Sequence, residues 1–366
     1  MKYYIIAGEA SGDLHGSNLI MELKKLDSHA DIRCWGGDKM QQQGATLVKH
    51  FKDLAFMGFI EVIKNLPTIL KNLSFCKNDI KAFKPDVVIL IDYPGFNLRV
   101  AAWAKAMGFK TVYYISPQVW AWKENRVKKI KQCVDKMLVI LPFEKAFYNK
   151  WNYHVQYVGH PLVQVIHSFK ALQVPTTKQN IIAVLPGSRK QEIEVKLPIM
   201  LSVAKHFPQY TFVVAKAPGI DDALYTTILK QYTNVQAVHD GTYQLLLQAK
   251  AAMVTSGTAT LETALFGVPQ IVCYKGSAVS YFIAKKLLTI KYICLVNLIM
   301  DKEVVKELIQ NQLNEANLLQ ALNNLLQNKA QQVQLQNDYA NLKKLLTTGG
   351  NASANAAEVI HQFLQY

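Results

Sequence analysis

The 366-residue sequence has few cysteines and no long apolar runs. Its five cysteines are scattered and none forms a C-x-x-C pair, so neither a disulfide framework nor a cysteine-based zinc site is predicted. No window approaches the ~20 consecutive apolar residues that a membrane-spanning helix needs. The opening MKYYIIAG holds an apolar run too short for the core of a signal peptide. We therefore expect a cytoplasmic protein with buried, reduced thiols.

Acidic residues are also scarce relative to basic ones, since 26 Asp and Glu stand against 41 Lys and Arg, for a net charge of +15. The excess is uneven, because residues 1–175 hold 24 basic and 14 acidic residues whereas residues 176–366 hold 17 and 12. Such a surplus favours an anionic partner, such as nucleic acid, a membrane face or a phosphorylated substrate. Solvated surface lysines are the alternative explanation.

Short β-rich runs alternate with helical patterns in both halves of the chain. This alternation predicts an α/β fold class with parallel sheets covered by helices on both faces. Two such series, in a chain too long for one core, indicate two doubly wound, Rossmann-like domains facing a central cleft. The predicted strands are Lys2–Ala7, Asp86–Ile91, Thr111–Ile115, Met137–Leu141, Asn180–Leu185, Thr211–Ala215, Ala251–Thr255 and Pro269–Tyr274.

Domain boundaries are predicted from breaks in this pattern. Residues 1–160 form the first domain, and a linker over 161–178 follows, where prolines punctuate and strand patterning stops. Residues 179–345 form the second domain, whose tail from about Asp301 is rich in Asn and Gln and is expected to be helical. A last helix within 346–366 is expected to pack back on the first domain.

The turn after the first strand, GEASGDLHG, carries three glycines interleaved with polar residues. A strand, a glycine-rich turn and a helix N-terminus direct backbone N–H groups at an anion or a polar ligand. The spacing is neither the dinucleotide fingerprint nor a P-loop, and the carboxylates of Glu9 and Asp13 would repel a pyrophosphate. We therefore interpret the turn as a site for sugar hydroxyls. Tight packing of the strand on the helix is the alternative.

The buried run VVILI leads directly to Asp92, and Pro94 and Gly95 then force a turn. A carboxylate at the carboxyl end of a parallel strand points to the ligand-binding edge of the sheet, where its surroundings tune its pKa for general-base catalysis. Capping of the next helix is the alternative role for Asp92.

Two further stretches of the first half combine apolar or aromatic residues with bases. Trp120 and Trp122 precede a basic run in SPQVWAWKENRVKKIKQ, a mixture that suits a sugar face, a phosphate, a lipid headgroup or nucleic acid. The run from Phe56 to Leu73 is richer in apolar residues than one buried helix face requires. An amphipathic stretch of this kind lies on a membrane surface or lines an acyl pocket. Ordinary core packing with solvated lysines is the alternative for both stretches.

Two turns of the second half repeat the strand-turn-helix arrangement. In LPGSRKQ, Gly187 allows close backbone approach and Arg189 can place its guanidinium fork on a diphosphate. In TSGTATLE, a helix opens near Thr258, and its N-terminus favours phosphate. Glu262 is suited to accept hydrogen bonds from ribose hydroxyls. The alternative is that it is an ordinary acidic residue in the first turn of a helix, with no ligand. Together the two turns indicate nucleotide binding.

Nine stretches of the chain together resemble one family, the lipid-A-disaccharide synthases, which are bacterial glycosyltransferases of the two-domain GT-B type. The stretches are AGEASGDLHG, MGFIEV, KPDVVILIDYPGFN, YYISPQVWAW, LPFEKAFY, VGHPL, LPGSR, TSGTATLE and NLIMDKEVVKELIQ. They follow one another in family order over nearly the whole chain. The resemblance implies an N-terminal domain for the acceptor and the membrane, and a C-terminal domain for the UDP-sugar.

The resemblance also implies a specific reaction, the transfer of 2,3-diacylglucosamine from its UDP carrier to the 6-hydroxyl of 2,3-diacylglucosamine 1-phosphate. A β-1,6 disaccharide 1-phosphate and UDP result, the anomeric centre is inverted, and neither a metal nor another cofactor is needed. Asp92 matches the family's general base. Gly95 stands where many members have a second carboxylate, which leaves Asp92 to act alone or with His15, the alternative base.

The remaining site residues are assigned in three groups. Those around the UDP moiety are Gly187, Ser188, Arg189, Ser256, Gly257, Thr258, Glu262 and Asn297. Those on the acceptor side are Glu9, Ser11, Gly12, Asn97, Gln118, Trp120 and Arg126. Those expected to contact membrane or acyl chains are Met57, Phe59, Ile60, Ile63, Lys64 and Leu66. The lipid substrates imply a peripheral enzyme on the inner face of the inner membrane of a Gram-negative bacterium; a homodimer is left open.

Two rival interpretations stay open on the sequence. Another UDP-sugar enzyme of the GT-B fold, such as an N-acetylglucosaminyltransferase with a lipid-linked acceptor or a sugar epimerase, would share the second-half turns, but it would lack the apolar stretch and SPQVWAW. A basic nucleic-acid-binding protein would explain the charge and predicts salt-dependent binding to oligonucleotides. No recognised nucleic-acid module is present in the sequence, so we expect no nucleic acid partner. A Rossmann oxidoreductase is discarded, because the dinucleotide fingerprint is missing.

Overall fold

The computed structural model describes residues 1–54, 66–174, 177–277, 281 and 290–365. Within them the chain divides into two compact units. The first unit comprises Met1–Gln164 together with Leu346–Tyr366, and the second comprises Val165–Leu345. The chain therefore leaves the first unit once and returns to it at its end.

The first unit is built on a parallel sheet, to which the described residues contribute seven strands in the order β3-β2-β1-β4-β5-β6-β7. The order of the strands along the chain reverses between β1 and β4, which makes this the topological switch point of the sheet. The strands are β1 (Lys2–Ala7), β2 (Asp31–Gly36), β3 (Thr46–His50), β4 (Val87–Ile91), β5 (Lys110–Tyr114), β6 (Lys136–Val139) and β7 (Gln156–Tyr157).

The central strands of this sheet are buried on both faces, which explains why their sequences are continuously apolar rather than alternating. Tyr4 of β1 and Val88 of β4 belong to the core cluster on one face. Their neighbours along the strands, Ile5 and Ile89, belong to the cluster on the opposite face. Helices therefore have to cover both faces of the sheet.

The helices of the first unit divide between these two clusters. Helices α3, α4 and α5 contribute to the first cluster, and α1 and α15 contribute to the second. The helices are α1 (Ala10–Leu26), α2 (Asp38–Gln42), α3 (Leu66–Phe83), α4 (Pro94–Ala106), α5 (Val127–Cys133), α6 (Glu144–Asn149) and α15 (Ala352–Gln365), with 3₁₀ helices at Phe51–Leu54 and Glu124–Arg126.

The C-terminal helix α15 packs on the first unit, to which it belongs. Ala356 and Ile360 are fully buried in the core cluster that α1 also lines. The Asn355 amide donates to the carbonyl oxygen of Val158 at 3.0 Å, just beyond β7. These contacts make α15 part of the core of the unit.

The second unit repeats the architecture. The described residues contribute six parallel strands in the order β10-β9-β8-β11-β12-β13, so its switch point lies between β8 and β11. The strands are β8 (Ile181–Leu185), β9 (Thr211–Ala215), β10 (Val235–Val238), β11 (Ala251–Thr255), β12 (Gln270–Tyr274) and β13 (Lys306–Ile309). The same succession of strands describes the first six strands of the first sheet.

Helices connect these strands, and two of them carry the chain between the units. They are α7 (Pro161–Ala171), α8 (Lys190–Leu201), α9 (Asp222–Leu229), α10 (Thr242–Gln248), α11 (Thr258–Leu265), α12 (Leu295–Met300), α13 (Glu315–Gln327) and α14 (Lys329–Thr347), with 3₁₀ helices at Ala204–His206 and Gln310–Gln312. The divisions between the units fall within α7 and α14. Among the described helices, none combines the length and the apolar character needed to cross a bilayer.

The eight strands predicted from the sequence are confirmed, with ends that differ by two residues at most. The sequence did not predict β2, β3, β7, β10 or β13. The expectation that the tail is helical from about Asp301 is wrong for β13, which pairs with β12 in parallel. Residues 161–178, expected as a linker, include helix α7.

Candidate active site

The predicted site residues follow strands that flank the switch point of each sheet. In the first unit, Glu9 follows β1 and Asp92 follows β4, and these two strands are neighbours. In the second unit, residues 187–189 follow β8 and residues 256–258 follow β11, which are again neighbours. Open α/β sheets bind their ligands at this position, beyond the carboxyl ends of the strands.

The glycines of the first turn let other groups approach its backbone. A Cβ atom at Gly8 would lie 2.4 Å from the ring of Tyr93, so the turn after β4 can sit beside β1 only if position 8 lacks a side chain. A Cβ atom at Gly12 would lie 3.0 Å from that of Ala7, where α1 begins above the end of β1. Both glycines therefore serve the packing of the turn.

The polar residues of the same turn divide into two sets. Ser11 is exposed and Glu9 is half-buried, so both side chains are accessible. Asp13 is instead buried, and its carboxylate accepts from the backbone N–H groups of Gly37 and Met40 at 2.8 and 3.0 Å. Asp13 therefore holds the start of α2 and is turned away from any ligand.

The backbone at Asp92 forms a strained turn that the surrounding side chains stabilise. Asp92 and Tyr93 have φ values of +44° and +48°, a region that non-glycine residues rarely adopt. The carbonyl oxygen of Asp92 accepts from the Tyr113 hydroxyl at 2.6 Å and from the Asn97 amide at 2.8 Å. Asn97 is fully buried, so it supports the Asp92 turn and does not reach out to an acceptor as the sequence predicted.

The carboxyl group of Asp92 is electrostatically perturbed. Burial raises the pKa of Asp92 to about 6, and the neighbouring Glu9 carboxylate contributes in the same direction. A carboxylate with a pKa near 6 is still mostly deprotonated at pH 7 and binds a proton more strongly than an ordinary aspartate. The arrangement is chemically suited to general-base catalysis.

The alternative base, His15, lies in a dry environment. Burial lowers the pKa of His15 to about 4, and burial together with His15 lowers the pKa of His160 to about 3. Both imidazoles are therefore neutral at pH 7 and gain protons only with difficulty. The Nδ1 atom of His15 is buried and has no hydrogen-bond partner among the described residues. This environment makes Asp92 the stronger base of the two.

A buried polar cluster, to which the sequence assigned no role, lies beyond the ends of β5 and β6. The Glu144 carboxylate accepts from the backbone N–H groups of Ile140 and Leu141 at 3.2 and 2.9 Å, and burial raises its pKa to about 7. The Ser116 and Tyr148 hydroxyls are 2.6 Å apart beside it. In the sequence, Glu144 is marked by its place five residues after the end of a buried strand and within the LPFEKAFY stretch.

The aromatic and basic side chains of the SPQVWAW segment are partly accessible. Gln118 is exposed, and the Trp120 ring meets the Phe143 ring edge-on with centroids 4.9 Å apart. The Arg126 guanidinium carbon lies 5.3 Å from the centre of the exposed Trp122 ring. The segment therefore presents an amide, aromatic faces and a cation at one strand end.

The turn after β8 and the start of α8 bring together five chemically relevant residues. Gly187 has φ of +114°, and a Cβ atom there would lie 2.4 Å from Glu192 Oε2. Ser188 and Arg189 are exposed, and Arg189 Nη1 lies 3.6 Å from Glu192 Oε1. Glu192 Oε2 in turn lies 3.6 Å from Nζ of the buried Lys196. The sequence predicted Gly187, Ser188 and Arg189 but overlooked Glu192 and Lys196.

The turn after β11 is accessible at its tip and anchored at its base. The Ser256 hydroxyl donates to the carbonyl oxygen of Ile293 at 2.9 Å, while Gly257 and Thr258, the next two residues, are exposed. Glu262 accepts from the Tyr243 hydroxyl at 3.1 Å, and burial raises the pKa of its carboxyl group. Ser256 thus anchors the turn, and Glu262 already has one internal partner.

Asn297 has a structural role where the sequence predicted contact with UDP. The residue is fully buried, and its amide nitrogen donates to Val305 O at 2.8 Å and to Glu307 Oε1 at 3.0 Å. Its amide oxygen accepts from the backbone N–H groups of Val304 and Val305 at 2.8 and 2.9 Å. Both N–H groups and both lone pairs of the amide are used, so no hydrogen bond remains for a ligand.

Most of the predicted membrane contacts, namely Met57, Phe59, Ile60, Ile63 and Lys64, lie outside the described residues. Leu66 and Leu70, at the start of α3, are 44% and 51% exposed. Their helix buries Cys76, Ile80 and Phe83 instead. The beginning of α3 therefore carries exposed leucines that its own unit does not cover.

Comparison with known proteins gives one consistent result over the full chain. The family model described as "Lipid-A-disaccharide synthetase" matches residues 3–363. A lipid-A-disaccharide synthase of Psychromonas ingrahamii is 38% identical over 375 residues, covering 97% of this chain and 96% of that protein. The lipid-A-disaccharide synthase of Syntrophus aciditrophicus is 37% identical over 364 residues, covering 96% and 95%.

Solved structures with the same architecture are more distant in sequence. A UDP-GlcNAc 2-epimerase from Neisseria meningitidis bound to UDP-GlcNAc superposes with a TM-score of 0.68 at 14% identity, covering 100% of both chains. The calicheamicin glycosyltransferase CalG4 superposes with a TM-score of 0.62 at 16% identity, covering 100% of this chain and 98% of that chain. These likenesses establish the fold, which is the GT-B arrangement of two parallel-sheet α/β domains.

Proposed function

The chain belongs to the lipid-A-disaccharide synthase family and is a glycosyltransferase that uses a UDP-sugar donor and a lipid acceptor; we propose that it joins two diacylated glucosamines. The proposed donor is UDP-2,3-diacylglucosamine, and the proposed acceptor is the 6-hydroxyl of 2,3-diacylglucosamine 1-phosphate. The products are then a β-1,6 disaccharide 1-phosphate and UDP. The observation that carries this proposal within the family is the perturbed carboxylate of Asp92 at the switch point of the first sheet.

Asp92 acts as the general base in this proposal. It accepts the proton of the acceptor 6-hydroxyl while that oxygen forms its bond to the anomeric carbon of the donor. The bond between the anomeric carbon and the UDP oxygen breaks on the opposite face, and its electron pair leaves with UDP. A single displacement of this kind inverts the anomeric centre. The pKa of about 6 supports the role, since the group is deprotonated at pH 7 yet more basic than a solvated aspartate.

The second unit stabilises the departing UDP in this proposal. Arg189 stands at the beginning of α8, and Thr258 opens α11, so a guanidinium and two helix N-termini follow adjacent strands. Helix N-termini and arginine both favour phosphate oxygens. Preorganised charges of this type are usually the largest contribution to catalysis. Glu262 already accepts one hydrogen bond, from the Tyr243 hydroxyl, and its carboxylate can accept another from a ribose hydroxyl.

The first unit binds the acceptor sugar in this proposal. Glu9, which lies near Asp92, and the exposed Ser11 of the same turn hydrogen-bond to sugar hydroxyls. Trp120 and Gln118 contact the sugar from the end of β5, and Arg126 attracts the 1-phosphate. Gly12 and Asn97 take no direct part, since Gly12 packs on Ala7 and the Asn97 side chain holds the Asp92 backbone.

The lipid chains of both substrates place the enzyme at the inner face of the inner membrane in this proposal. The exposed Leu66 and Leu70 and the basic excess of the first half support a peripheral attachment. Apolar residues enter the interface while lysines are attracted to anionic lipid headgroups. The attachment requires no spanning helix.

The direct test is to incubate the full chain with UDP-2,3-diacylglucosamine and 2,3-diacylglucosamine 1-phosphate in the presence of EDTA. We expect the disaccharide 1-phosphate and an equal amount of UDP, with the metal independence that the resemblance implies. In the described part of the chain, no three His, Cys, Asp or Glu side chains are grouped to hold a metal ion. Failure of the wild-type chain to form the disaccharide would contradict the proposal.

The role of Asp92 is tested in the same assay with Asp92→Asn, which keeps the size of the side chain and removes its basicity. Loss of a general base typically costs about 10²–10⁴-fold in rate, and we expect a loss in that range. Asp86→Asn is the matched control, because the Asp86 carboxylate lies at the opposite end of the sheet, where it accepts a hydrogen bond from the backbone N–H of Lys2. We expect this variant to keep its activity. If Asp92→Asn were as active as wild type, Asp92 would not be the general base, but the proposed reaction would still stand.

A further inference from the structure

Lys196 is an unusual residue for the interior of the second unit. Its side chain is 2% exposed although the ammonium group is one of the most strongly hydrated groups in proteins. It lies on α8, one helical turn after Glu192, and its Nζ atom is 3.6 Å from Glu192 Oε2. Burial lowers the pKa of Lys196, whereas Glu192 acts in the opposite direction and favours the charged form. A buried lysine needs such a partner, because an unpaired buried charge is strongly destabilising.

Glu192 connects this buried lysine to the arginine of the donor turn. The same carboxylate lies 3.6 Å from Arg189 Nη1 through its other oxygen, so one anion stands between two cations. It is held against Gly187, where a Cβ atom would come within 2.4 Å of Oε2. The exposed fraction of the side chain falls from 61% at Arg189 to 30% at Glu192 and 2% at Lys196.

The position of Glu192 creates a conflict with diphosphate binding. An acid in the first turn of α8 is favoured by the helix dipole, which explains its presence there. A carboxylate beside Arg189 nevertheless weakens the attraction of the guanidinium for a diphosphate, because like charges repel and the arginine charge is shared. The site therefore needs a second cation to balance the carboxylate.

We propose that Lys196 is a positioning residue that balances the charge of Glu192, so that the charge of Arg189 acts on the diphosphate of UDP; this inference rests on the proposed function. Lys196 touches no ligand in this arrangement and acts through Glu192. Among the described residues, Cys273 of β12 lies close enough to Lys196, and Tyr274 close enough to Glu192, to interact with them electrostatically. Lys190 and Glu194 pair with each other on the exposed side of α8, with Nζ and Oε1 3.9 Å apart.

Calorimetric titration of the full chain with UDP tests this proposal, because UDP alone reports on the donor site. Lys196→Met keeps an unbranched side chain that is only one atom shorter and removes its charge, and we expect UDP to bind about tenfold more weakly. The double variant Lys196→Met with Glu192→Gln removes the unbalanced carboxylate as well, and we expect its Kd to return to within about threefold of wild type. Lys196→Arg, which keeps the charge, should also stay within about threefold.

The controls separate this proposal from simpler explanations. Lys230→Met makes the same change in net charge at the exposed C-terminal end of α9 and should leave the Kd for UDP unchanged. If the double variant binds UDP as weakly as Lys196→Met, then Lys196 serves only the packing of α8 and the proposal is overturned. Equal affinity of wild type and Lys196→Met for UDP would also overturn the role of Lys196, but it would leave the proposed donor site intact. No binding of UDP by the wild-type chain would overturn this proposal and the proposed donor site together.

Discussion

At the scale of single residues, the chemistry of Asp92 depends on residues both near to it and far from it in the sequence. Tyr113 and Asn97 hold its carbonyl oxygen, and Gly8 leaves room for the ring of the next residue, Tyr93. Glu9 supplies a second carboxylate near that of Asp92. The pKa of Asp92 is thus set by burial first and by Glu9 second.

The pH dependence of kcat/KM tests this electrostatic coupling. A base with a pKa of about 6 predicts that kcat/KM is level above pH 7 and falls about tenfold per pH unit well below pH 6. Glu9→Gln removes a negative charge that raises the pKa of Asp92, so we expect the acidic limb to move to lower pH. Rates of transfer measured between pH 4.5 and 8.5 give the position of this limb.

Glu9→Asp is the control for the pH experiment, since it keeps the negative charge while changing the side chain length. We expect its acidic limb to stay closer to that of wild type than the limb of Glu9→Gln. A limb that stays in place in Glu9→Gln would show that Glu9 does not influence the base.

Other residue-level assignments required the structure. The sequence predicts roles for Asp92 and Arg189 because a polar residue that follows an apolar strand can be recognised in the linear sequence. It could not distinguish Asn297, whose amide is saturated inside the fold, from an amide that meets a ligand. It also gave no reason to expect that Lys196 is buried, because a lysine on a polar helix usually lies in water.

At the scale of elements, α15 shows how a segment distant in sequence completes a core. It packs with α1 on one face of the first sheet, and the Lys110 ammonium donates to the carbonyl oxygen of Phe363 at 3.0 Å. Gly159 and Gly350 approach each other closely before it, since a Cβ atom at position 159 would lie 2.9 Å from Gly350 O. The first unit therefore depends on the last residues of the chain for its core.

Truncation of Ile360 tests the contribution of α15. Ile360→Ala removes fully buried atoms, and we expect it to destabilise the first unit by about 2–4 kcal/mol. All the tryptophans, at positions 35, 103, 120, 122 and 151, belong to the first unit, so urea unfolding followed by tryptophan fluorescence reports on it selectively. Glu358→Ala on the exposed side of α15 should shift the midpoint little. Equal midpoints for Ile360→Ala and wild type would contradict the prediction.

The elements that the sequence predicted and those that it missed differ in their place in the sheets. The predicted strands, such as β4 and β11, are fully buried and read as continuous apolar runs. Four of the missed strands, β3, β7, β10 and β13, stand at sheet edges, and β2 stands next to an edge. Edge strands are partly solvated and tolerate polar residues, so their sequences carry no clear strand pattern.

At the scale of the whole molecule, charge and exposed apolar residues support attachment to a membrane. The basic excess is larger in the first half of the sequence, and this half also contains the exposed Leu66 and Leu70. Each lysine near an anionic bilayer contributes roughly 1 kcal/mol. A few such lysines beside inserted apolar side chains are enough for reversible binding.

Charge reversal tests this attachment. We expect that changing Lys64, Lys71 and Lys77 to glutamate weakens binding to vesicles of anionic phospholipid at least about tenfold, because attraction is replaced by repulsion. Co-sedimentation with vesicles at fixed ionic strength measures the effect. Lys64 lies outside the described residues, whereas Lys71 and Lys77 are on α3.

A matched variant of the second unit controls for total charge. Lys230, Lys250 and Lys329 are exposed there, and changing them to glutamate alters the net charge by the same amount. We expect vesicle binding of this variant to stay near that of wild type. If both variants lose binding equally, overall charge and not the start of α3 governs the attachment.

The amino-acid sequence by itself determined the two-domain α/β fold class, eight of the strands and membership of a glycosyltransferase family. These features are encoded locally, in buried apolar runs and in the composition of the turns that follow them. Only the tertiary structure decided that β13 is a strand, that Asn297 and Asp13 are internal hydrogen-bonding residues, and that Lys196 is buried beside Glu192. These properties depend on solvent access and on charged partners that folding brings from distant parts of the chain, and no local pattern records them.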